Sequence, residues 1–572
     1  MALLAASHRS LAETPHVVAG RSFVPAPTAL LLMRARDLGI ARSRGWLRLL
    51  HYHQRGPREA VSQVDGKRFF LAPDGARDPE AELAATLVAF AQPVVAGHED
   101  EHALCRFPAR RRLLDDQLHF GSALPTPACP ALTRFQTDLD PVSVSVVYAA
   151  NFLDNPASAF GHTFLRLKKR RPAGSKASSD ELDHSVEYTA KTDTKNPFLY
   201  GFKGLTGFFP GLFRFQSFAS KAHEYTDVEG RDLWEYDLNL KESEVELLTL
   251  HLWELSVTRL DYYYLTKNCS YHALATIEAA APRIDLVTHL NVFVLPRDTI
   301  KALFSVPGLV RKFDYHPSLR SRVRVQVASS STSPRNNSVP APTDKAPQRA
   351  HGSLRLTLGS GITSQYQTSF NTLGFRLALH DLTDPPDGEP ELSQLQFLDT
   401  RLRYDPGQRS FTLDRLTFAE LVALNPLTGY EHVLSWRARG FGMRLHDAAC
   451  PDCFAHGLDL SLGATLATEN EHLALFVMAD TYVAFSPRLD GIGARFVRAG
   501  VGPFAGVRAR LSSQTIALVT ATWSYLPGAH LKSTYDVRAT LRGELAKDVA
   551  LGFEGAAQPL SVEGLFASYF YF

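Results

Sequence analysis

The sequence predicts a multidomain chain in three parts: an N-terminal helical region, a mixed α+β domain, and an all-β C-terminal domain built as an antiparallel barrel of about 10 to 12 strands. Three observations predict it. Beyond residue 352 apolar and polar residues alternate with period two between Gly, Pro, Asn and Asp turns. Residues 327–352 are rich in Ser, Pro and Asn and nearly devoid of large apolar side chains. Ahead of them, helical spacing gives way to strand-like runs. At 572 residues the chain exceeds what one ordinary core supports.

The domain boundaries that follow are a poorly defined start at 1–28, a helical domain at 29–135, an α+β domain at 136–325, a linker at 326–352 and the barrel at 353–572. "ALLLMRARDLGIARSRGWLRLLHY" and "DPEAELAATLVAFAQ" carry apolar residues at helical spacing, the second behind an Asp-Pro start. Trp46, Leu49 and Leu50 read as core. The opening "MALLAASHRSLAETPH" has no basic residue ahead of its apolar patch, so no clear signal peptide is read there. No run of 18 apolar residues occurs.

A membrane is reached by strands instead. In "LRLTLGSG" the leucines face one way and Arg355 and Thr357 the other, the apolar-out, polar-in pattern of a transmembrane barrel. "FASYFYF", residues 566–572, resembles the terminal strand of outer-membrane barrels, and its aromatics suit an interface girdle. A soluble β-sandwich or lipocalin-like barrel is the alternative. The linker has too little apolar surface to bury and is expected to be disordered, spanning roughly 25–30 Å.

A net charge of +2 shows no basic excess, which argues against nucleic acid as a partner. Of five cysteines, Cys105 and Cys129 flank a Pro-rich connection and Cys450 and Cys453 form CPDC, so both pairs are disulfide candidates. A zinc reading of CPDC lacks a second such pair, so no metal is expected. Cys269 is left over.

In "TKNCSYHALATIEAAAP", Asn268 is a good N-cap, which puts Cys269 at the first position of a helix. Unpaired backbone N–H groups and the positive end of the helix dipole lower a thiol pKa there. "SVSVVYAA" and "HTFLRLKK" read as two strands, with His162 opening the second at a sharp turn, and "HSVEYTA" reads as a later strand carrying His184 and Glu187. An imidazole with a polar partner to orient it would complete the activation of a thiol. A buried structural cysteine is the alternative.

"FGHTFLRL", "LWEYDLNL" and "YYYLTKNCSYHAL" resemble signature segments of the Lnb-type lipoprotein N-acyltransferases, and "WLRLLHY" and "CRFPARRRLL" extend the likeness over most of residues 30–320. The resemblance implies a permuted papain-like domain related in shape to lecithin:retinol acyltransferase, Cys269 as nucleophile, His162 as base, and no cofactor. Glu187 matches the polar third member, with His184 three positions earlier as the other candidate. Asn151, Asn268 and the Cys269 amide are the oxyanion candidates, and His272 is a supporting residue. The implied reaction carries an acyl chain from a phospholipid to the α-amine of a diacylated lipoprotein. The implied location is the outer membrane, with the catalytic domain in the periplasm.

Residues 196–218 are expected as an aromatic, glycine-rich loop facing lipid with Phe198, Phe202, Phe208 and Phe209, and holding phosphate with Lys203 and Lys221. A loop that covers the core is its alternative. Two other functions remain open: a papain-like cell-wall peptidase or amidase, and a barrel whose periplasmic domain only binds.

Overall fold

Glycine and capping chemistry decide how the N-terminal helices are cut in the computed structural model, which describes residues 26–56, 59–150, 160–171, 179–328, 341–365, 367–428, 432–489 and 496–572. The single helix expected near 29–52 is two. Helix α1 (Ala26–Asp37) stops before Gly39, which takes the left-handed conformation at φ 63°. Helix α2 (Arg44–Leu49) restarts behind Ser43, whose hydroxyl accepts from the Trp46 N–H. Helix α3 (Pro79–Phe90) begins where Asp78 accepts from the amides of Glu80 and Ala81. Helices α4 (Pro108–Leu118) and α5 (Pro130–Leu139) follow, joined through the Cys105–Cys129 disulfide just ahead of each.

The α+β part is a seven-stranded antiparallel sheet. Its strands are β1 (Pro141–Ala149), β2 (His162–Lys169), β3 (His184–Ala190), β4 (Phe209–Ser217), β5 (Leu233–Leu238), β6 (Leu260–Tyr262) and β7 (Val310–His316), in the order β6-β4-β3-β2-β1-β5-β7. The expected loop at 196–218 is instead helix α6 (Pro197–Thr206) running into β4. Its glycines do not break it, because they let it lie close on aromatic rings: a Cβ on Gly204 would stand 2.3 Å from the Tyr264 ring. Helix α7 (Phe218–His223) continues as a π-helical turn, Glu224–Val228. Helices α8 (Glu242–Ser256) and α9 (Cys269–Ala280) pack on β1 and β2, followed by α10 (Pro296–Ser305) and α11 (Leu319–Ala328).

The helical region and the sheet share one apolar core, which runs from Leu31 through Trp46, Leu87 and Leu114 to Leu248, Leu274 and Leu303. Arg110 is fully buried within it. It pairs with Glu82 at 2.7 Å and Glu254 at 3.6 Å, donates to the Phe69 carbonyl at 2.6 Å, and lies over the Phe69 and Phe107 rings.

The barrel forms from thirteen strand segments, of which Ala378–His380 prolongs the preceding strand, giving twelve strands. It closes where Arg355–Thr363 pairs with Ser561–Tyr571. In Leu473–Phe485, residues 473, 475, 477, 479 and 481 are exposed while Ala474, Phe476, Met478 and Asp480 face inward. Inside, Arg401 pairs with Asp414 and Glu554, Arg437 with Glu420 and Asp459, and Arg498 with Asp447. These networks let charged side chains fill a lumen whose outer skin is apolar. Cys450 and Cys453 are paired beside a hairpin turn of the barrel. Among the described residues no helix is long and apolar enough to cross a membrane. Val477→Arg, in the middle of this outer skin, is expected to destabilise the folded barrel by about 2–4 kcal/mol. Urea titration in lipid vesicles measures it, and a loss within error of zero would mean that this surface does not meet hydrocarbon.

Part of the expected linker is ordered. Residues 329–340 lie outside the described residues, but Ala346 and Ala350 are buried and Gln348 accepts from the Tyr236 hydroxyl at 2.7 Å. The α+β part is docked on the barrel rather than held at a distance. Arg297 pairs with Glu389 and donates to Ser353 at 3.2 Å, Arg324 meets Glu471 at 2.5 Å, and Leu295 packs with Ala378, Leu379 and Leu395.

Candidate functional site

Helix α9 starts as the sequence predicts, with the Asn268 side-chain oxygen accepting from the amides of Ser270 at 3.1 Å and Tyr271 at 3.3 Å. The Asn268 amide donates to the carbonyls of Tyr264 at 2.9 Å and Val294 at 2.6 Å. Both of its N–H groups are therefore engaged, so Asn268 builds the site and is not an oxyanion donor. Cys269, buried at 3% exposure, is the free thiol of the five cysteines. Its amide donates to the Tyr262 hydroxyl at 3.3 Å. Ser270 ties the helix to β2 through a 3.2 Å hydrogen bond to Thr163.

His162 is the first residue of β2 and pairs with Ala149 of β1. Extending the β2–β3 register from Leu165↔Val186 sets His162 opposite Thr189, with Glu187 two residues along on the same face. Glu187 Oε2 lies 3.4 Å from His162 Nε2, and the Cys269 thiol interacts with the same imidazole. The structure thus brings Cys269, His162 and Glu187 together.

His184 is three positions from Glu187 and on the other face of β3, where burial and the Lys169 charge lower its pKa. His272, one turn beyond Cys269, is fully buried against the Tyr188 ring at a centroid distance of 4.3 Å, and burial holds its pKa well below the ordinary value. It is a wall residue. Asn151 lies outside the described residues.

The cations expected to hold phosphate are engaged elsewhere. Lys221 is buried and pairs with Glu187 at 3.1 Å and Glu224 at 3.0 Å, so it belongs to the site and not to a lipid-facing surface. Lys203 pairs with Asp193 at 2.7 Å. Phe209 is fully buried in β4, whereas Phe202 and Phe208 are exposed; the side chain of Phe198 lies outside the described ones. The π-helical turn adds Tyr225, whose ring stands 6.1 Å from that of His162 and takes the Lys221 ammonium on its face at 4.7 Å. Sequence reasoning missed Tyr262, Tyr225 and the role of Lys221. For Tyr262 a signal existed, since the strand Leu260–Tyr262 ends just short of the cap.

Electrostatics favour a thiolate–imidazolium pair. Burial alone would raise the Cys269 pKa, but the His162 charge and hydrogen bond, the Thr163 N–H and the Tyr262 hydroxyl bring it down to about 7. Burial would lower that of His162, and the thiolate with Glu187 raises it instead to about 9. Burial would likewise raise that of Glu187, but His162 and Lys221 hold it at about 2. Alkylation of Cys269 by iodoacetamide should therefore climb as pH rises through about 7, below the ~8.5 of an ordinary thiol. Glu187→Gln removes the charge that sustains the imidazolium and should move this midpoint up by about one unit. An unshifted midpoint would show that Glu187 does not act through His162. Among the described residues no group of His, Cys, Asp and Glu is arranged to hold a metal.

Comparisons with known proteins bear on these parts separately. Residues 131–306 match the family model of the Lnb N-terminal periplasmic domain. Residues 38–117 and 344–563 match two models described as domains of unknown function. No curated protein matches the chain. Among solved structures, the chain is similar to the KdgM porin in complex with disordered oligogalacturonate, at 8% identity over 38% of this chain and 99% of that one, TM-score 0.23. It is also similar to an outer membrane channel from Pseudomonas putida F1, at 13% identity over 41% and 100%, TM-score 0.25. A third is the Acinetobacter baumannii outer membrane protein Omp33, at 11% identity over 39% and 100%, TM-score 0.20. A closed barrel with an apolar outer skin, joined to a region that matches a periplasmic domain, makes this an outer-membrane chain with its α+β part in the periplasm.

Proposed function

We propose that the α+β part is a thiol acyltransferase that moves an acyl chain from a phospholipid, through a Cys269 thioester, to the α-amine of a diacylated lipoprotein. The observation that carries this reading is the Cys269–His162–Glu187 cluster at a helix N-terminus, in a chain that a barrel anchors in a membrane. The Cys269 thiolate attacks the ester carbonyl, and the tetrahedral oxyanion is met by the neutral Tyr262 hydroxyl and by the Cys269 N–H, which turns to it from its weak 3.3 Å bond to that hydroxyl. Collapse breaks the ester C–O bond, and His162 gives its proton to the departing lysophospholipid oxygen. In the second half, the lipoprotein amine attacks the thioester, His162 takes the amine proton, and the C–S bond breaks to return the thiolate. Glu187 keeps the imidazole oriented through both halves, and Lys221 in turn holds Glu187.

One observation favours a second reading, in which the periplasmic domain binds without catalysis: Cys269 is buried among the described residues. Phospholipid bearing an alkyne-tagged acyl chain separates the two. A hydroxylamine-sensitive tag on Cys269 supports the transferase. A folded, full-length protein that takes up no tag sinks it.

A further inference from the structure

The periplasmic domain carries an apolar surface of its own, and its position relative to the barrel says what covers it. Leu199, Phe202 and Leu205 recur every third residue along one face of α6 and are 44%, 59% and 50% exposed; Phe208, 66% exposed, continues them. The Phe202 and Phe208 rings stack with centroids 6.2 Å apart. The opposite face is fixed: Tyr200 packs on Tyr264, and Gly204 and Gly207 lie too close to the Tyr264 and Tyr263 rings to carry a side chain. The exposed rings therefore stand on a rigid platform.

That platform is tied to the barrel rim by a short run of contacts. The Gly204 carbonyl accepts from the Tyr264 N–H at 2.9 Å, and the Leu265 carbonyl from the Val294 N–H at 2.7 Å. Asn291 donates to the Phe572 carbonyl at 3.4 Å, where the closing barrel strand ends, and Leu295 packs on Ala378, Leu379 and Leu395 of the barrel. Val292 is 78% exposed within this segment, and Phe570 and Phe572 are outward-facing aromatics at the same rim. Aromatic residues at a barrel rim mark the membrane–water interface. Exposed Lys191 and Lys195 precede α6, as suits an anionic leaflet. On its other side the patch reaches the thiol: Phe209, next to Phe208, pairs in register with Tyr262, whose hydroxyl contacts the Cys269 amide.

We propose that the apolar face of α6, with Phe208 and Val292, inserts into the lipid leaflet beside the periplasmic rim of the barrel, as a second membrane contact next to Cys269. The docking stands on geometry alone. Its use, which is to let an acyl chain pass from the leaflet to the thiol, rests on the acyltransferase reading.

The test uses the full-length chain in phosphatidylcholine vesicles. In a Cys269→Ser background, Phe208→Cys supplies a single thiol for a bimane label, and the vesicles carry doxyl groups high on the acyl chains. Insertion predicts a blue-shifted emission and at least about twofold quenching. Emission that stays water-like and unquenched overturns the docking, including the case in which a protein partner covers the patch. With Cys269 intact, Phe202→Asp combined with Phe208→Asp is expected to lower acyl-thioester formation from bilayer phospholipid about tenfold. A fall of less than about twofold, in a protein that still shows the heat-modifiable gel shift of a folded barrel, overturns the delivery role. Quenching in a wild-type chain that never forms a thioester would uphold the docking and discard the acyltransferase.

Discussion

Cys269→Ser is expected to lower acyl transfer by roughly 10³-fold or more while leaving the protein folded. The loss is large because the thiolate is the nucleophile, and a serine hydroxyl in the same place is not ionised at neutral pH. The fold survives because the smaller oxygen inherits partners that surround the sulfur: His162, the Thr163 N–H and the Tyr262 hydroxyl. A buried hydroxyl so placed costs about 1 kcal/mol or less. His162→Ala should lose activity to a similar degree, and the double variant should be scarcely worse than either single one, since the two side chains act as a unit. Single-turnover transfer from tagged phospholipid measures all three. Residual activity of more than a few per cent in a Cys269→Ser chain with a wild-type circular dichroism spectrum would remove Cys269 from the mechanism.

Arg110→Met should destabilise the periplasmic part by about 3–5 kcal/mol, because it strands buried carboxylates and not because it loses an attraction. Arg110, Glu82 and Glu254 have no side-chain exposure. Burial already pushes the Glu254 pKa up to about 7, with Arg110 opposing it, and raises that of Glu82. Without the guanidinium both carboxyls would hold their protons more tightly when folded than when unfolded. Stability in the variant should then fall steadily as pH rises above the unfolded carboxyl value of about 4.3 and recover as pH drops back toward it, the sign that follows when the folded state binds more protons. Denaturant titrations of the full chain at pH 5.5 and 8, followed by near-ultraviolet circular dichroism, would show it. A loss below about 1 kcal/mol with no pH dependence would mean that the cluster relaxes to reach water.

What could be read from the residues alone was whatever local chemistry or a single periodicity decides. The barrel was legible because lipid on the outside and charge on the inside force alternation along strands such as Leu473–Phe485. The start of α9 was legible because Asn268 and Cys269 are adjacent in the chain and capping is local. Glu187 over His184 could be argued from strand alternation, which puts residues three apart on opposite faces. Lys221 could not be placed: it sits on helix α7 while its partner Glu187 comes from strand β3, and no spacing links them. Helix α6 was hidden by its own glycines, which read as loop punctuation until Tyr263 and Tyr264 are seen filling the space above them. Residues 341–350 looked like spacer because their small apolar side chains are buried by the surfaces of two other domains.

The seam of the barrel has a bearing on assembly. Arg355 pairs with Tyr571 and Thr363 with Glu563, so partners 216 and 200 residues apart in sequence must meet before the cylinder exists. A Cβ on Gly352 would lie 2.1 Å from the Phe572 backbone, so this junction tolerates no side chain. Every other hairpin of the barrel can form from neighbours, but this one joins the first strand to the twelfth, and loop-closure entropy makes such a step slow. Until it closes, two unpaired strand edges are on offer to other chains. The periplasmic domain, whose core draws on residues before the barrel, can finish folding ahead of that event. Biogenesis is then expected to be limited by one late, long-range closure, with an already structured domain waiting beside an unfinished anchor.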